Sequence, residues 1–487
     1  MQQTTRPEIV NDLPNICGSE SRLAEVTAQR DHICFAESGI DFSPLQSCFA
    51  IALHMHQPLI PAGGEHLRTA RIISNLQYMI EHQNIGDNHN APVFHWCYKR
   101  MSECISQLVR EGKQPRVMLD YSGCLLHGLM LMGLHDVLDG LKSITCDPDY
   151  RRCVEWLGSA WGHPVAPSTP VQDYRLHVLT WQHQFAAFFG FDALWRVRGF
   201  SPAEMALPNH PDVAYEFIKT LKDCGYRWVL VQEHTVECPE HGNPSHHPHL
   251  PHRLVARNSH GQVASIVAII KTQGSDTKLV GQMQPYHAAK GLARTHFVGK
   301  SIPPLVTQID DGENGGVMMN EFPPKYLEVM SRASGSPTAP VNVGEYLDYL
   351  QSVGVSEEDF PVLQPALQKR IWDRFQDGAG PEAMVQLIRQ LEKEDSRFHM
   401  DGGSWTNNIS WVRGYEPLLG PMESASALFA ETVLNKGVPT TDPRYRNALY
   451  HLLMTQTSCF RYWGSGIWTD YGRELCRRTM EILKHDF

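Results

Sequence analysis

The chain has 487 residues, a formal net charge of −10, 42% hydrophobic residues and 20% charged residues. That acidic balance argues against a nucleic-acid binder, which carries a basic stripe, and against adhesion to anionic membranes. The length and composition suit a soluble chain with a sizeable core, organised as a large barrel-type domain plus one further region.

Residues 1–45 are polar and without period, and read as an extension before the fold. The opening MQQTTRPEIVNDLPNICGSE holds no apolar core of a secretory signal. No stretch approaches the roughly eighteen apolar residues of a membrane span. The twelve cysteines are dispersed, as at Cys48, Cys97, Cys153, Cys224 and Cys459, which predicts free thiols in a reducing compartment. Together these features predict a cytoplasmic protein.

SCFAIALH (47–54) reads as the first strand. Residues 66–83 and 94–109 carry apolar side chains at helical spacing. PRVMLDYS (115–122) and CVEWLGSA (153–160) read as strands. A helix follows over 171–190, a strand over LWRVRGF (194–200), a helix over 211–225 and a strand over YRWVLVQ (226–232). Residues 233–262, rich in His and Pro, read as a long loop. VASIVAII (263–270), KLVGQM (278–283) and PLVTQIDD (304–311) read as further strands. Alternation of this kind implies a parallel sheet covered by helices, closed as a barrel of the TIM type. Beyond about residue 345 six segments look helical, among them PALQKRIWDRFQD and YGRELCRRTMEILK. The division is therefore 1–45 extension, 46–345 barrel and 346–487 helical region.

Catalytic groups of a parallel barrel sit where strands end. Four strand ends carry suitable residues. HMHQPLIP (54–61) places His54 and His56 on the same side of an extended chain, as metal ligands, sugar contacts or mutual partners. GSAWGHPVAP (158–167) places His163 beside Trp161, an aromatic next to a polar handle. GFSPAEMALP (199–208) holds Glu204 between Pro202 and Pro208. VTQIDDGENGG (306–316) runs into Asp310, Asp311 and Glu313, which are either cation ligands or a set in which like charges raise one acid's pKa. The spacing does not match an EF-hand.

These four segments, followed by GSWTNNISW (403–411), resemble in order the five motifs of glycoside hydrolase family 57. The likeness covers roughly residues 47–487. It implies an incomplete (β/α)7 barrel followed by a C-terminal helical domain. It also implies retaining action on α-glucans such as starch, glycogen and maltodextrins, with no cofactor and no metal. Members include α-amylases, 4-α-glucanotransferases and branching enzymes. The third motif places the nucleophile at Glu204. The fourth places the acid/base at Asp311 rather than Asp310. His54, His56, Trp161, His163, Trp405 and Trp411 fall at or beside positions that line the sugar subsite. Ser201 stands where the family often has a tryptophan, and a later acidic position falls to Glu416 or Glu423. The expected partner is an α-glucan or maltooligosaccharide, with no nucleic acid and no membrane. The sequence leaves open the oligomeric state and the choice between hydrolysis and transfer.

Two rival readings accompany this one. One is a metal-dependent barrel hydrolase using His54, His56 and an acid; the other is a catalytically silent glucan-binding protein. The stretch 233–252 adds six histidines and Cys238, a set that suits either zinc or an adaptable polar loop.

Overall fold

The run SCFAIALHM is buried at every position, as expected of a strand covered on both faces. The computed structural model describes residues 7–28, 37–272, 280–313, 322–405, 413–463 and 466–487. In it this run forms β1 (Ser47–Met55). Six more strands follow: β2 (Val117–Tyr121), β3 (Val154–Gly158), β4 (Gly199–Phe200), β5 (Trp228–Gln232), β6 (Val263–Lys271) and β7 (Leu305–Asp311). Each pairs in parallel with its successor. β7 pairs in parallel with β1, closing a ring of seven. The expected barrel is therefore present, one strand short of the eight of a TIM barrel.

Alternation along the strands sorts side chains into two sets. Cys48, Ala50 and Ala52 of β1 share one apolar cluster with Met118, Leu157, Leu230, Ile269 and Ile309, and this cluster fills the lumen. The opposite phase (Phe49, Ile51, Leu53, Leu119, Val229 and Val306) belongs to the core beneath the surrounding helices. That outer layer includes α1 (Ala91–Arg110), α2 (Val171–Phe189) and α3 (Pro211–Asp223).

The lumen is closed below by α4 (Val343–Ser352), whose Val343, Tyr346 and Leu350 join the interior cluster. Charged pairs flank this plug. Arg116 bonds Glu345 at 2.9 Å, and Arg198 grips both carboxylate oxygens of Asp348 at 2.9 Å. Glu155 accepts the Gly344 N–H at 2.9 Å. A cavity of about 210 Å³ lies at this end, lined by Arg198, Trp228, Asp348 and Phe360 among others. It is at the opposite end of the strands from the candidate chemistry.

Helices α5 (Pro381–Glu394), α6 (Glu416–Phe429), α7 (Pro443–Met454) and α8 (Ile467–Asp486) dominate the C-terminal part, as the periodicity predicts. Several local expectations need correction. Residues 66–74 are not helical: Arg71–Ser74 pairs with Leu59–Gly63 as a hairpin, and the helix begins only at Asn75, capped by the Ser74 hydroxyl. The β-branched pair Ile72–Ile73 suits that strand, and helical apolar spacing does not exclude it. LWRVRGF shrinks to the two residues of β4, because Phe191–Trp195 is helical. The supposed loop 233–262 contains the strand His252–Arg257, antiparallel to β6. Val280–Met283 is a turn rather than a strand. Val362–Pro365 is a strand in the region expected to be helical.

The N-terminal extension is packed rather than trailing. Its Ile16, Cys17 and Leu23 belong to the main core. Glu37 bonds both Arg151 and Arg196, and the Ser38 carbonyl accepts from Arg116. No described cysteine is disulfide-bonded. Among the described residues, no helix is long and apolar enough to cross a membrane.

Candidate active site

The pleat decides which strand-end residues face the lumen. His54 continues the inward phase of Ala50 and Ala52, Asp120 that of Met118, and Asp311 that of Ile309. In register, Asp311 pairs with His54, and His54 with Asp120, so the three lie side by side across β7, β1 and β2. Asp310 has the opposite phase and accepts the Val280 N–H at 2.6 Å beneath the helices. The strand period thus puts the two adjacent aspartates on opposite faces of β7, with Asp311, the one the motif resemblance singles out, toward the lumen.

Glu204 sits in the turn Ala203–Met205 after β4, with φ 58° and ψ 18°, the left-handed region that costs a non-glycine residue energy. It is buried at 8% exposure. Trp405 Nε1–H donates to its Oε2 at 2.8 Å, and the Ser458 hydroxyl approaches Oε1 at 3.4 Å. Burial pushes the Glu204 pKa up; the charge on His54 and the Trp405 bond oppose this, and the charge on Asp311 adds to it. The two proposed catalytic carboxyls are therefore near enough to sense one another.

His163 also adopts positive φ, at 56°. Its Nε2 lies 2.8 Å from His54 Nε2, and its Nδ1 lies 2.7 Å from Ser458 Oγ. Its ring stacks on His56, with centroids 3.9 Å apart. Burial and the neighbouring histidines hold His56 and His163 well below the ordinary imidazole pKa, so both are neutral. On His54 burial is outweighed by Asp120, bonded to Nδ1 at 2.7 Å, with Asp311 and Glu204 beyond it, and its pKa is raised. His56 Nδ1 meets the Ser122 hydroxyl at 2.7 Å, while its buried Nε2 has no protein partner.

Glu313 turns back beneath Asp311. Its Oε1 accepts the His56 N–H at 2.7 Å and the Tyr98 hydroxyl at 3.0 Å, and its own N–H donates to Asp311 Oδ1 at 3.1 Å. Burial, then the charge and hydrogen bond of Asp311, push its pKa well above the usual carboxylate range. The expected like-charge effect within the DDGE cluster thus falls on Glu313.

The structure brings together Glu204, Asp311, His54, His56, His163 and Trp405. It does not bring Trp161 to them. That indole is fully buried in the main core, donates to Gln184 and packs so closely on Gly123 that a Cβ there would lie 2.1 Å from it. Trp161 therefore supports the His163 loop from behind. Trp411 lies outside the described residues. Glu416 and Glu423 are both exposed on α6. No metal-holding group of three or more His, Cys, Asp or Glu occurs among the described residues, in the histidine-rich stretch included. There His234 instead bonds the Ser404 carbonyl at 2.7 Å, bracing the strap that carries Trp405.

Four contributors were not anticipated. Asp120 is the penultimate residue of the strand VMLDY, so the strand-end rule that found the others applies to it too. Tyr98 and Ser122 announce themselves only as members of a helix and a strand end. Ser458 has no local signal; it arrives because α7 is followed by a turn whose Thr457 bridges Pro164.

A buried carboxylate in a strained turn, facing a second carboxylate across a barrel rim, is an arrangement of carbohydrate-active barrels. The model of glycosyl hydrolase family 57 matches residues 50–339, and the chain belongs to that family. None of the curated proteins compared with the chain matches it. Solved structures similar to it include the 4-α-glucanotransferase of Thermococcus litoralis, at 16% identity and TM-score 0.56, over 91% of this chain and 60% of that one. The present chain thus spans less than two thirds of that protein. A family 57 branching enzyme of Pyrococcus horikoshii matches at 11% identity and TM-score 0.53, over 90% and 88% of the two chains. An α-amylase of Thermotoga maritima matches at 10% identity and TM-score 0.51, over 90% and 93%. At these identities the likeness concerns the fold.

Proposed function

We propose that the protein is a retaining enzyme acting on α-1,4-glucans, either hydrolysing them or transferring the cleaved segment, with Glu204 as nucleophile and Asp311 as acid/base. The carrying observation is the setting of Glu204: a left-handed turn at a barrel strand end, with each carboxylate oxygen facing a donor, Trp405 Nε1–H or the Ser458 hydroxyl. Donors to both oxygens hold the carboxylate in one orientation, as attack on an anomeric carbon requires.

Glu204 attacks that carbon and the glycosidic bond breaks, while Asp311 gives its proton to the leaving oxygen. Asp311 then takes a proton from water or a sugar hydroxyl, which displaces Glu204 with a second inversion. The unpartnered His56 Nε2 suits a sugar hydroxyl at the same barrel rim. The glucan substrate is carried over from the named activities of the similar structures. A cytoplasmic location suits a maltodextrin or glycogen substrate.

The test uses the full chain with maltoheptaose and amylose, following products by chromatography and anomeric configuration by NMR. Native protein is expected to release or transfer α-configured products. Glu204→Gln and Asp311→Asn are each expected to lose at least about 10³-fold in kcat, the scale of removing a principal catalytic group. Full activity in either variant, or inverted products, would overturn the assignment.

A further inference from the structure

The rim contains an unbroken chain of contacts that ends on the nucleophile. Asp120 Oδ2 meets His54 Nδ1 at 2.7 Å, and His54 Nε2 meets His163 Nε2 at 2.8 Å. His163 Nδ1 meets Ser458 Oγ at 2.7 Å, and Ser458 Oγ approaches Glu204 Oε1 at 3.4 Å. The facing Nε2 atoms permit two proton arrangements, because only one of the two can carry a hydrogen.

In the first, His54 holds protons on both nitrogens. It donates to Asp120 and to His163 Nε2; His163 then carries Nδ1–H and donates to Ser458 Oγ, which leaves the Ser458 hydroxyl free to donate to Glu204. From His54 onward every contact runs from donor to acceptor toward Glu204, while the other His54 N–H is anchored on Asp120. In the second, the pair has lost one proton to solvent. His163 carries Nε2–H and donates to His54, its Nδ1 accepts from Ser458, and Glu204 loses that donor.

We propose that Asp120 and Ser458 are positioning residues at the two ends of a hydrogen-bond relay, Asp120–His54–His163–Ser458, anchored on Asp120 and directed from His54 toward Glu204, which holds the Glu204 carboxylate in its attacking orientation. The inference rests on Glu204 being the nucleophile. Geometry favours the first arrangement. Asp120 is fully buried, its Oδ1 has no hydrogen-bond partner, and His54 is the group in contact that offsets a carboxylate there when protonated; a buried carboxylate without such an offset is costly. The groups facing His54 are His56 just past its own strand, Asp120 on β2, His163 after β3, Glu204 after β4, Asp311 on β7 and Trp405 on the strap. Three of the six are carboxyl groups. The raised pKa of His54 and the depressed one of His163 agree with a single imidazolium on His54.

The relay has a readout independent of catalysis. Long-range ¹H–¹⁵N spectra of the full chain report the tautomer of each imidazole, with His54 and His163 assigned from the signals lost in His54→Gln and His163→Gln. At neutral pH, His54 is expected doubly protonated and His163 as the Nδ1–H tautomer. In Asp120→Asn, His54 is expected neutral and His163 switched to Nε2–H. A neutral His54 in the native protein, or an unchanged His163 tautomer in Asp120→Asn, would overturn the relay. If Asp120→Asn does not fold, raising the pH of the native protein must produce the same switch, and its absence counts equally against it.

Kinetics supply the second arm. Ser458→Ala is expected to lower kcat about 10- to 100-fold, the rate equivalent of one hydrogen bond to a charged group, and to leave KM within about threefold. Unchanged kcat in Ser458→Ala would remove the link to Glu204. Absence of any glucan turnover by native protein would instead count against the proposed function, with the tautomers still deciding whether the relay exists.

Discussion

The indole of Trp405 donates to Glu204 Oε2 at 2.8 Å, while the Trp405 backbone N–H donates to the Glu204 carbonyl at 3.2 Å. One residue from the strap around 403–405 thus holds both ends of the candidate nucleophile. Trp405→Phe keeps the ring and the backbone bond and deletes only the indole donor. Its kcat/KM on maltoheptaose is expected to fall about 10- to 100-fold. Because that bond lowers the Glu204 pKa, the acid limb of the kcat/KM profile should move to higher pH. A profile that stays in place would mean the bond does not act on the ionisation of Glu204.

Glu204 should also cost the protein stability. Its folded pKa is raised, burial being the chief cause, so its contribution is fully present below the unfolded value and is lost as pH rises through the folded one. Glu204→Gln is therefore expected to melt above native protein at pH 7–8, with the gap closing toward pH 4. Scanning calorimetry across that range checks it; equal melting temperatures at pH 8 would contradict it.

Glu155, under the barrel, should behave in the same direction for a structural reason. Burial, despite the Gly344 N–H and the charge on Arg198, pushes its pKa up to about 7. Stability contributed by this group is present below about pH 4.5 and falls as pH rises to about 7. Glu155→Gln keeps an acceptor for Gly344. It should gain up to about 3 kcal/mol at pH 8, since each pKa unit corresponds to 1.36 kcal/mol. Denaturation at pH 4.5 and pH 8 measures the difference. A gap of equal size at both values would assign the effect to packing.

Glu313 offers a contrast between isostere and truncation. Burial, then Asp311, pushes its pKa well above the usual carboxylate range, and Glu313→Gln removes the ionisable group while keeping an acceptor oxygen for the His56 N–H and the Tyr98 hydroxyl. That variant should stay within about tenfold of native activity. Glu313→Ala leaves the His56 N–H and Tyr98 hydroxyl unsatisfied. Each buried orphan costs about 1–3 kcal/mol, so a clearly lower melting temperature and a larger activity loss are expected. Equal behaviour of the two variants would show that these bonds carry no weight.

Much of the molecule was legible because strand burial and helix periodicity are local properties. β1, β2, β3, β5, β6 and β7 each read as an apolar run, and His54, Glu204 and Asp311 each stand where such a run or its short successor ends. Local rules failed where partners decide. Arg71–Ser74 became a strand because Leu59–Gly63 lies beside it, and β4 kept two residues because the chain around it turns helical. Trp161 illustrates a different limit: an indole beside a strand-end histidine looks like a sugar platform until the fold covers it with Gln184 and Tyr450.

The sequence by itself determined the closed parallel architecture, the strand ends that bear chemistry and, through the ordered motifs, the family. These follow from period, burial and short-range pattern, which each segment carries alone. The motifs pointed to Asp311 over Asp310, but only the tertiary structure supplied the physical reason, because it depends on which face of β7 the barrel encloses. Only it delivered Asp120, Tyr98 and Ser458 to the rim. Ser458 is 254 residues from Glu204 along the chain, and no local pattern can encode a contact made by packing two distant segments together.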